Sequence, residues 1–385
     1  MSQPLKLGIA GLGNAGQAVL RDLSAVPEVV LGAVADVRQE ARAACRAKNP
    51  HVEVHTSVDG MCRSKNIDAV WIATPNEFHA DHAVAAVNGG KHVVCEKPMA
   101  LSLAECDRMI DAAANNRVQL LMHSKAGDPP IRKMREVIAS GRLGRPIQIS
   151  SLNYKSWLNY PRLPAEVETA KGGGIVFRQG SHQVDIVRTI GGGLIKSVRA
   201  VTGRWHPRFD TEGNYTAFVE FADGTPATLV FNGYGGFDMT ELTWGIGEGG
   251  YPAAEQSPKK TSVEGPVSAA AKYAEPARAK RRQRGGARRQ PFFGLTLVSC
   301  EKGDIRQSPD GLYLYTDQGR EEISCAPFMD RAGELLRLYE AVTQSRPEFA
   351  DGKWGKATLE VLLAIIQSSK ERREIGLEHQ VPCTL

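Results

Sequence analysis

LKLGIAGLGNAGQAVLRDL, residues 5–23, decides how the N-terminal part of this chain folds. Leu5 to Ala10 is a short apolar run that stops at Gly11. Gly11, Gly13 and Gly16 then hold the G-x-G-x-x-G spacing, with Asn14 and Ala15 inside the turn, and the helical pattern AGQAVLRDL follows at once. Strand, glycine turn and helix in this order bring backbone N–H groups and the positive end of a helix to where a pyrophosphate can approach. The next apolar run, VVLGAVAD, ends at Asp36, about 20 residues beyond Gly16. A carboxylate there accepts hydrogen bonds from ribose hydroxyls and repels a 2′-phosphate, so the pattern expects NAD in preference to NADP. Arg38, two residues on, can greet a phosphate or stack on adenine.

Outward from this stretch, strands and helices keep alternating: Val52 to His55, Asp68 to Thr74, a helix from about Asn76, Lys91 to Cys95, and a last strand at Val118 to Ser124. Such alternation predicts a parallel sheet covered by helices, with ligands beyond the carboxyl ends of its strands. Two short motifs fall at those ends. One is Ala73-Thr74-Pro75-Asn76 with His79 a turn later; the other is Glu96-Lys97-Pro98. A lysine at the inner edge of a cleft, partly desolvated, can have its pKa lowered and act as acid or base. Asn76 is expected to cap its helix and to offer a secondary contact to a nicotinamide ribose. His79 and His82 stand at i, i+3, but no third ligand has a convincing metal spacing.

The chain of 385 residues is long enough for two domains. Its composition, 42% hydrophobic and 24% charged, is that of a globular protein. No apolar run reaches membrane-spanning length and no signal-peptide pattern opens the chain, which makes the cytoplasm the default location. Seven cysteines, scattered and never in a CxxC pair, fit reduced thiols. The net charge of +5 has a local origin: Arg278, Lys280, Arg281, Arg282, Arg284, Arg288 and Arg289 crowd one Ala/Gly/Gln-rich segment. That segment lies in an insertion at about 250–291 with no hydrophobic period, expected to be a loop or arm. It lacks aromatic platforms or a recognition fold, which argues against nucleic acid. Packing over a neighbouring subunit or over an anionic substrate cleft is the better expectation.

The division is expected near residue 124, with an NAD-binding domain over 1–124 and an α+β domain over 125–385. In the second part, SVRAVTGRW, YTAFVEFA, ATLVFNGYG and MTELTWG alternate as antiparallel strands, with Asp223-Gly224 as a hairpin turn. Leu295 to Cys300, Asp304 to Gln307 and Leu312 to Tyr315 extend the sheet, and helices over about Asp330 to Gln344 and Ala357 to Arg372 close the chain. Before the sheet, KGGGIVFRQGSHQVD (171–185) places Arg178, His182 and Asp185 at helical spacing, so that three polar side chains would share one face.

GLGNAG, ATPNEFH, VVCEKP and GGG…GSHQVD, in this order along nearly the whole chain, resemble the Gfo/Idh/MocA family of oxidoreductases. The resemblance implies NAD(P)-dependent hydride transfer and an N-terminal Rossmann domain. It also implies a C-terminal domain whose open sheet faces a partner subunit in a homo-oligomer, dimer or tetramer. Lys97 falls where the family keeps its catalytic lysine, before a proline whose peptide bond is often cis. The family pattern GGGxxxDxGxHxxD is matched at Gly172 to Gly174, Gly180, His182 and Asp185, but Arg178 replaces its first acid. That acid serves sugar and polyol hydroxyls; an arginine instead suits a carboxylate. The runs TWGIGEGGYP (243–252) and PFFGLTLVSCEKGDIRQSPDGLYLY (291–315) are similar to the phthalate 4,5-cis-dihydrodiol dehydrogenase subgroup. The implied reaction is NAD-dependent oxidation of an anionic cyclic diol. Lys97 or His182 takes the proton, Arg178 and Asp185 serve the substrate, and Asp185 either orients His182 or caps backbone. Dehydrogenation of a sugar acid or polyol, and non-catalytic nucleotide sensing, are the competing readings.

Overall fold

The computed structural model describes residues 3–206, 208–252, 265–273, 287–346 and 348–385. The chain divides into two compact units, 1–124 with 329–359 and 125–328 with 360–385.

The first unit is built on six parallel strands: β1 (Leu5–Ala10), β2 (Val29–Ala35), β3 (Glu53–His55), β4 (Ala69–Ile72), β5 (His92–Cys95) and β6 (Leu120–Met122). Their spatial order is β3-β2-β1-β4-β5-β6, so the order reverses beside β1. This is the Rossmann arrangement, and the turn after β1 opens at the switch point where such sheets bind ligands. β1 and β4 are almost wholly buried, which is why they read as unbroken apolar runs. On one face Leu7, Ile9, Val34 and Trp71 close over Val19 and Cys45 from the first two helices, Asn14–Asp22 and Gln39–Lys48.

The same cluster takes in Leu335, Leu338 and Ala341 from the helix Arg331–Thr343. The expected boundary gave all of 125–385 to the second domain; the structure returns residues 329–359 to the first unit. The reason is packing. Leu335 and Leu338 are fully buried against the first sheet, each contributing about 1.5–3 kcal/mol of apolar burial. Backbone bonding agrees, since Met122 N–H donates to the Ala350 carbonyl at 2.7 Å.

The second unit carries a nine-stranded sheet. Its strands are β7 (Pro146–Tyr154), β8 (Ile195–Gly203), β9 (Asn214–Phe221), β10 (Pro226–Asn232), β11 (Leu295–Cys300), β12 (Gly303–Gln307), β13 (Gly311–Thr316), β14 (Gly319–Ser324) and β15 (Ile375–Gly376). The order β14-β13-β12-β11-β7-β10-β9-β8-β15 is antiparallel except where β10 pairs with β7. Two short edge strands, β14 and β15, were absent from the sequence reading. The run MTELTWG is not a strand. Asp238 accepts the Thr240 N–H through its carboxylate and starts a 3-10 turn at Met239–Leu242, a local bond that outcompetes the ladder.

Register gives this sheet two unlike faces. Phe218, Thr228, Ser150, Leu297, Arg306 and Tyr313 are successive cross-strand partners, and Phe218 and Leu297 in this row are exposed. The neighbouring row, Val219, Ala227, Ile149, Val298, Ile305 and Leu314, is fully buried. Of the basic insertion, Arg278, Lys280, Arg281, Arg282 and Arg284 lie outside the described residues. Within it, Ala269–Tyr273 forms a short helix, and Arg289 N–H returns the chain to the Gly250 carbonyl at 2.7 Å.

Candidate active site

In the first unit the glycine turn is sterically obligatory. Gly11 has φ +91°, and a Cβ there would stand 2.5 Å from the Ala73 carbonyl oxygen; a Cβ at Gly16 would stand 1.9 Å from the Gly11 oxygen. The helix begins at Asn14 with Gly13 as its cap and no side chain bonding its first N–H groups. Asp36 directly follows β2 and reaches back to the turn, accepting the Leu12 N–H at 2.7 Å. Arg38 grips the same carboxylate through Nε at 3.0 Å and Nη2 at 2.9 Å. Burial opposes the charge on Asp36, but the bonds from Arg38 and Leu12 outweigh it and hold the carboxyl below its ordinary pKa. Arg38 is therefore tied back onto Asp36. A cradle that a Cβ would fill, an uncapped helix start and an ionised acid fit a dinucleotide: backbone for the pyrophosphate, Asp36 for a ribose.

The two motif loops beyond β4 and β5 are braced to each other. His79, 1% exposed, sets Nδ1 2.8 Å from the Pro98 carbonyl and Nε2 2.9 Å from that of Thr74. Expected as a cofactor contact, His79 is instead an internal strut, since both ring nitrogens face backbone carbonyls. Thr74 Oγ1 meets His82 Nδ1 at 3.0 Å, so the two histidines serve separate bonds. Asn76, buried, is the first residue of a 3-10 turn whose cap is Pro75, so it does not cap its helix. The Lys97–Pro98 peptide is cis and Lys97 is half-buried.

Glu96, also expected at the cofactor, faces inward. Its Oε1 lies 2.8 Å from Arg331 Nη2 and 3.4 Å from Trp71 Nε1, and the Arg331 guanidinium lies 5.6 Å from the centroid of the Trp71 ring. Arg331 also approaches His123, whose Nδ1 is 2.7 Å from Glu334 Oε1. Burial opposes ionisation of Glu96, and Arg331, His123 and Lys97 outweigh it, leaving the pKa lowered. Glu334 is driven down the same way, far below the carboxylate range, by His123 and Arg331. The residue before Lys97 is thus fixed by a buried set of charges that the sequence did not reveal. No local pattern links Glu96 to positions more than two hundred residues on.

In the second unit the GGG stretch is shaped by Glu212. Gly174 has φ +77°, and a Cβ there would stand 2.1 Å from Glu212 Oε1. Glu212 accepts Thr169 Oγ1–H at 2.6 Å, and burial raises its pKa above the ordinary value. The stretch that follows is not one α-helix. Val176–Gly180 is a π-turn and the α-helix starts at Ser181. Wider i→i+5 bonding underwinds the turn that carries Arg178, while His182 and Asp185 stand at i, i+3 on the α-helix.

Each of the three polar residues makes a contact of its own. Arg178 Nη2 donates to Glu166 Oε1 at 2.7 Å. His182, 8% exposed, sets its ring edge-on to Phe293 with centroids 5.2 Å apart. Asp185 accepts the Ala126 N–H at 3.1 Å. What anchors the helix is Gln183, fully buried. Its amide donates to the Ser151 carbonyl at 2.9 Å and to the Val230 carbonyl at 3.3 Å, and its Oε1 accepts Tyr215 O–H. Lys272, from the insertion, also pairs with Glu166. Sequence reasoning missed Glu166, Lys272 and Arg331 because each is recognised only by a partner distant in the chain.

Residues 5–124 match the model of an oxidoreductase family with an NAD-binding Rossmann fold, and residues 131–241 match the GFO/IDH/MocA C-terminal domain. The chain is 32% identical, over 95% of its own length and 95% of the relative's, to a 1-carboxy-3-chloro-3,4-dihydroxycyclohexa-1,5-diene dehydrogenase of Comamonas testosteroni. A solved structure from Bordetella bronchiseptica RB50 superposes with a TM-score of 0.87 at 34% identity, covering 97% of this chain and all of that one. An Agrobacterium radiobacter oxidoreductase in complex with NAD+, L-tartaric acid and magnesium shares the fold, with a TM-score of 0.72 at 16% identity, over 97% and 98% of the two chains.

Proposed function

The chain belongs to the Gfo/Idh/MocA oxidoreductase family, and on that premise we propose that it oxidises a carboxylated cyclohexadiene cis-diol with NAD. Phthalate 4,5-cis-dihydrodiol, converted to 4,5-dihydroxyphthalate, is the specific case. The observation that carries this reading is Arg178, a cation bonded to Glu166 where polyol dehydrogenases of the family keep an acid. The carboxylated diene diol in the name of the Comamonas relative supports it.

Gly11, Gly13, Gly16 and the helix start at Asn14 and Ala15 would hold the dinucleotide phosphates, and Asp36 its adenosine ribose. Thr74, Pro75 and Asn76 would border the nicotinamide end. Bound there, NAD supplies the hydride acceptor. Arg178 orients a substrate carboxylate, and Lys97 or His182 takes the hydroxyl proton as the carbinol C–H bond breaks. The resulting hydroxydienone tautomerises to a catechol. Because aromatisation favours this direction, the protein need supply mainly orientation and a proton acceptor. The exposed row of Phe218 and Leu297 on the second sheet is the proposed oligomer face.

Steady-state rates with NAD and a panel of cyclic diol acids, uronates and inositols test the assignment. Lys97→Ala is expected to lower kcat by about 10²–10⁴-fold. Arg178→Asp is expected chiefly to raise KM, by roughly 10–100-fold, the worth of a charged hydrogen bond. An unchanged KM in Arg178→Asp, or a preference for neutral inositols, overturns the anionic-substrate reading.

A further inference from the structure

Two histidines of one helix, His79–Asn88, hold Thr74 by backbone and by side chain. The Thr74 carbonyl lies 2.9 Å from His79 Nε2, and its Oγ1 lies 3.0 Å from His82 Nδ1. His79 answers backbone carbonyls at both nitrogens and so fixes the loop. His82 instead addresses the hydroxyl, the one group of the Thr74 side chain that a ligand can also use. Thr74 stands at the dinucleotide end of the sheet. It follows β4, the neighbour of β1 at the switch point, and a Cβ added to Gly11 would stand 3.0 Å from the Thr74 nitrogen. The first glycine of the turn therefore lies directly against Thr74.

The surroundings of His82 favour a neutral ring. Phe78 packs beside it with ring centroids 5.7 Å apart, and burial lowers the His82 pKa below the ordinary histidine value. Asp59, from the helix Val58–Cys62, and Asp81, from the same helix as His82, oppose that shift without cancelling it. Arg108, from the helix Leu103–Asn116, pairs with Asp81 at 2.7 Å. A neutral imidazole carrying its hydrogen on Nε2 accepts the Thr74 O–H at Nδ1, which leaves the hydroxyl oxygen as an acceptor for other groups. A protonated ring can only donate at Nδ1, so the hydroxyl hydrogen is turned away from the ring and becomes a donor. One proton on His82 thus reverses the polarity that Thr74 offers.

We infer that His82 is a positioning residue of the dinucleotide site: its neutral ring makes the Thr74 oxygen an acceptor for the cofactor, and proton uptake by the ring reverses that bond and weakens dinucleotide binding. The inference rests on the reading that Thr74 borders the nicotinamide end and goes beyond it. Ribose hydroxyls and the carboxamide N–H groups are the donors of a dinucleotide that such an acceptor suits.

Isothermal titration calorimetry of NAD+ into the intact chain, at about pH 8 and about pH 5, brackets the ordinary histidine range and tests this. Wild type is expected to bind about 3–10-fold more weakly at the lower pH, where His82 is protonated. His82→Asn puts an amide oxygen where Nδ1 was; it is expected to stay within about threefold of wild type at pH 8 and to lose the pH response. Thr74→Val is expected to bind about 3–10-fold more weakly at pH 8, the worth of one hydrogen bond, and to lose the response although His82 still titrates. Thr74→Ser keeps both affinity and response. The double variant His82→Asn/Thr74→Val should bind no more weakly than Thr74→Val, because the two residues act through one bond. Equal wild-type affinity at both pH values, a response that persists in His82→Asn, or losses that add in the double variant overturns the inference while leaving Thr74 at the cofactor. Wild-type affinity in Thr74→Val at both pH values removes Thr74 from the cofactor, and the inference falls with that reading.

Discussion

Replacing Arg331 by methionine tests the claim that a buried charge set fixes the residue before Lys97. Arg331 is 11% exposed and lies 2.8 Å from Glu96 and 3.2 Å from Glu334, carboxylates that are themselves 7% and 9% exposed. Methionine keeps most of the volume and removes the charge, leaving Glu96 without its nearest cation. Stranding one member of a buried ion pair costs about 3–5 kcal/mol. For a unit of this length, each kcal/mol moves the melting temperature by roughly 2–4 °C, so a fall of about 6–20 °C is expected near pH 7. Glu96→Gln alone should cost less, and the double variant less than the two single costs combined, because the stranded carboxylate is gone.

The pH dependence has a definite sign. Glu96 and Glu334 have depressed pKa values in the folded wild type. They therefore contribute stability that is present above the unfolded carboxylate pKa of about 4.3, and it is lost as pH falls through their lower folded values. In Arg331→Met, Glu96 loses its main cation and its pKa rises, so the deficit against wild type should shrink as pH falls from 7 toward 4. Thermal melts at several pH values, read by circular dichroism, measure both effects. A melting temperature within about 2 °C of wild type at pH 7, strict additivity with Glu96→Gln, or a deficit that grows on acidification refutes the reasoning.

Asp36→Ala removes the carboxylate that grips Arg38 and the Leu12 amide. The ratio of kcat/KM for NAD over NADP should fall by about tenfold or more, since a charged hydrogen bond is lost and Arg38 is released toward phosphate; an unchanged ratio would remove Asp36 from cofactor selection. Tyr215→Phe leaves the buried Gln183 carbonyl without the O–H it accepts, at a cost of about 1–3 kcal/mol, visible as a lowered urea midpoint. Burial pushes the Cys62 thiol up to about 11 and Cys106 up to about 12, so both stay protonated at pH 8. Iodoacetamide should leave native activity intact while denatured protein loses all seven thiols; rapid inactivation would expose a reactive cysteine.

How far the sequence could be read depended on how local the determining interactions were. Gly11 and Gly16 act on atoms within a few residues or at the adjacent strand end, and the apolar β1 flanks them, so turn, sheet and cofactor class were legible together. Arg178 was recognisable as a departure, but the π-turn that carries it was not, since Gly180, where an added Cβ would meet Tyr215 and Leu362, answers to residues elsewhere in the chain. Glu96 and His79 sit in motifs that suggest ligand contact, yet their partners are Arg331 and backbone carbonyls. MTELTWG alternates like a strand until Asp238 supplies a local bond. The helix at Arg331–Thr343 was visible from its period, though nothing in that period says which sheet it covers.

That last helix has a consequence in time. Residues 1–124 leave the ribosome first, but the core they build is closed by Leu335, Leu338 and Ala341. Synthesis runs at about 5–20 residues per second, so the roughly 200 residues between them delay closure by about 10–40 s. During that interval the nascent Rossmann sheet holds one apolar face partly open while residues 125–328 of the second unit are being made. The first unit therefore stays incomplete until residues 329–359 have emerged, and a chain cut between residues 124 and 329 should accumulate as an unclosed sheet that chaperones must hold.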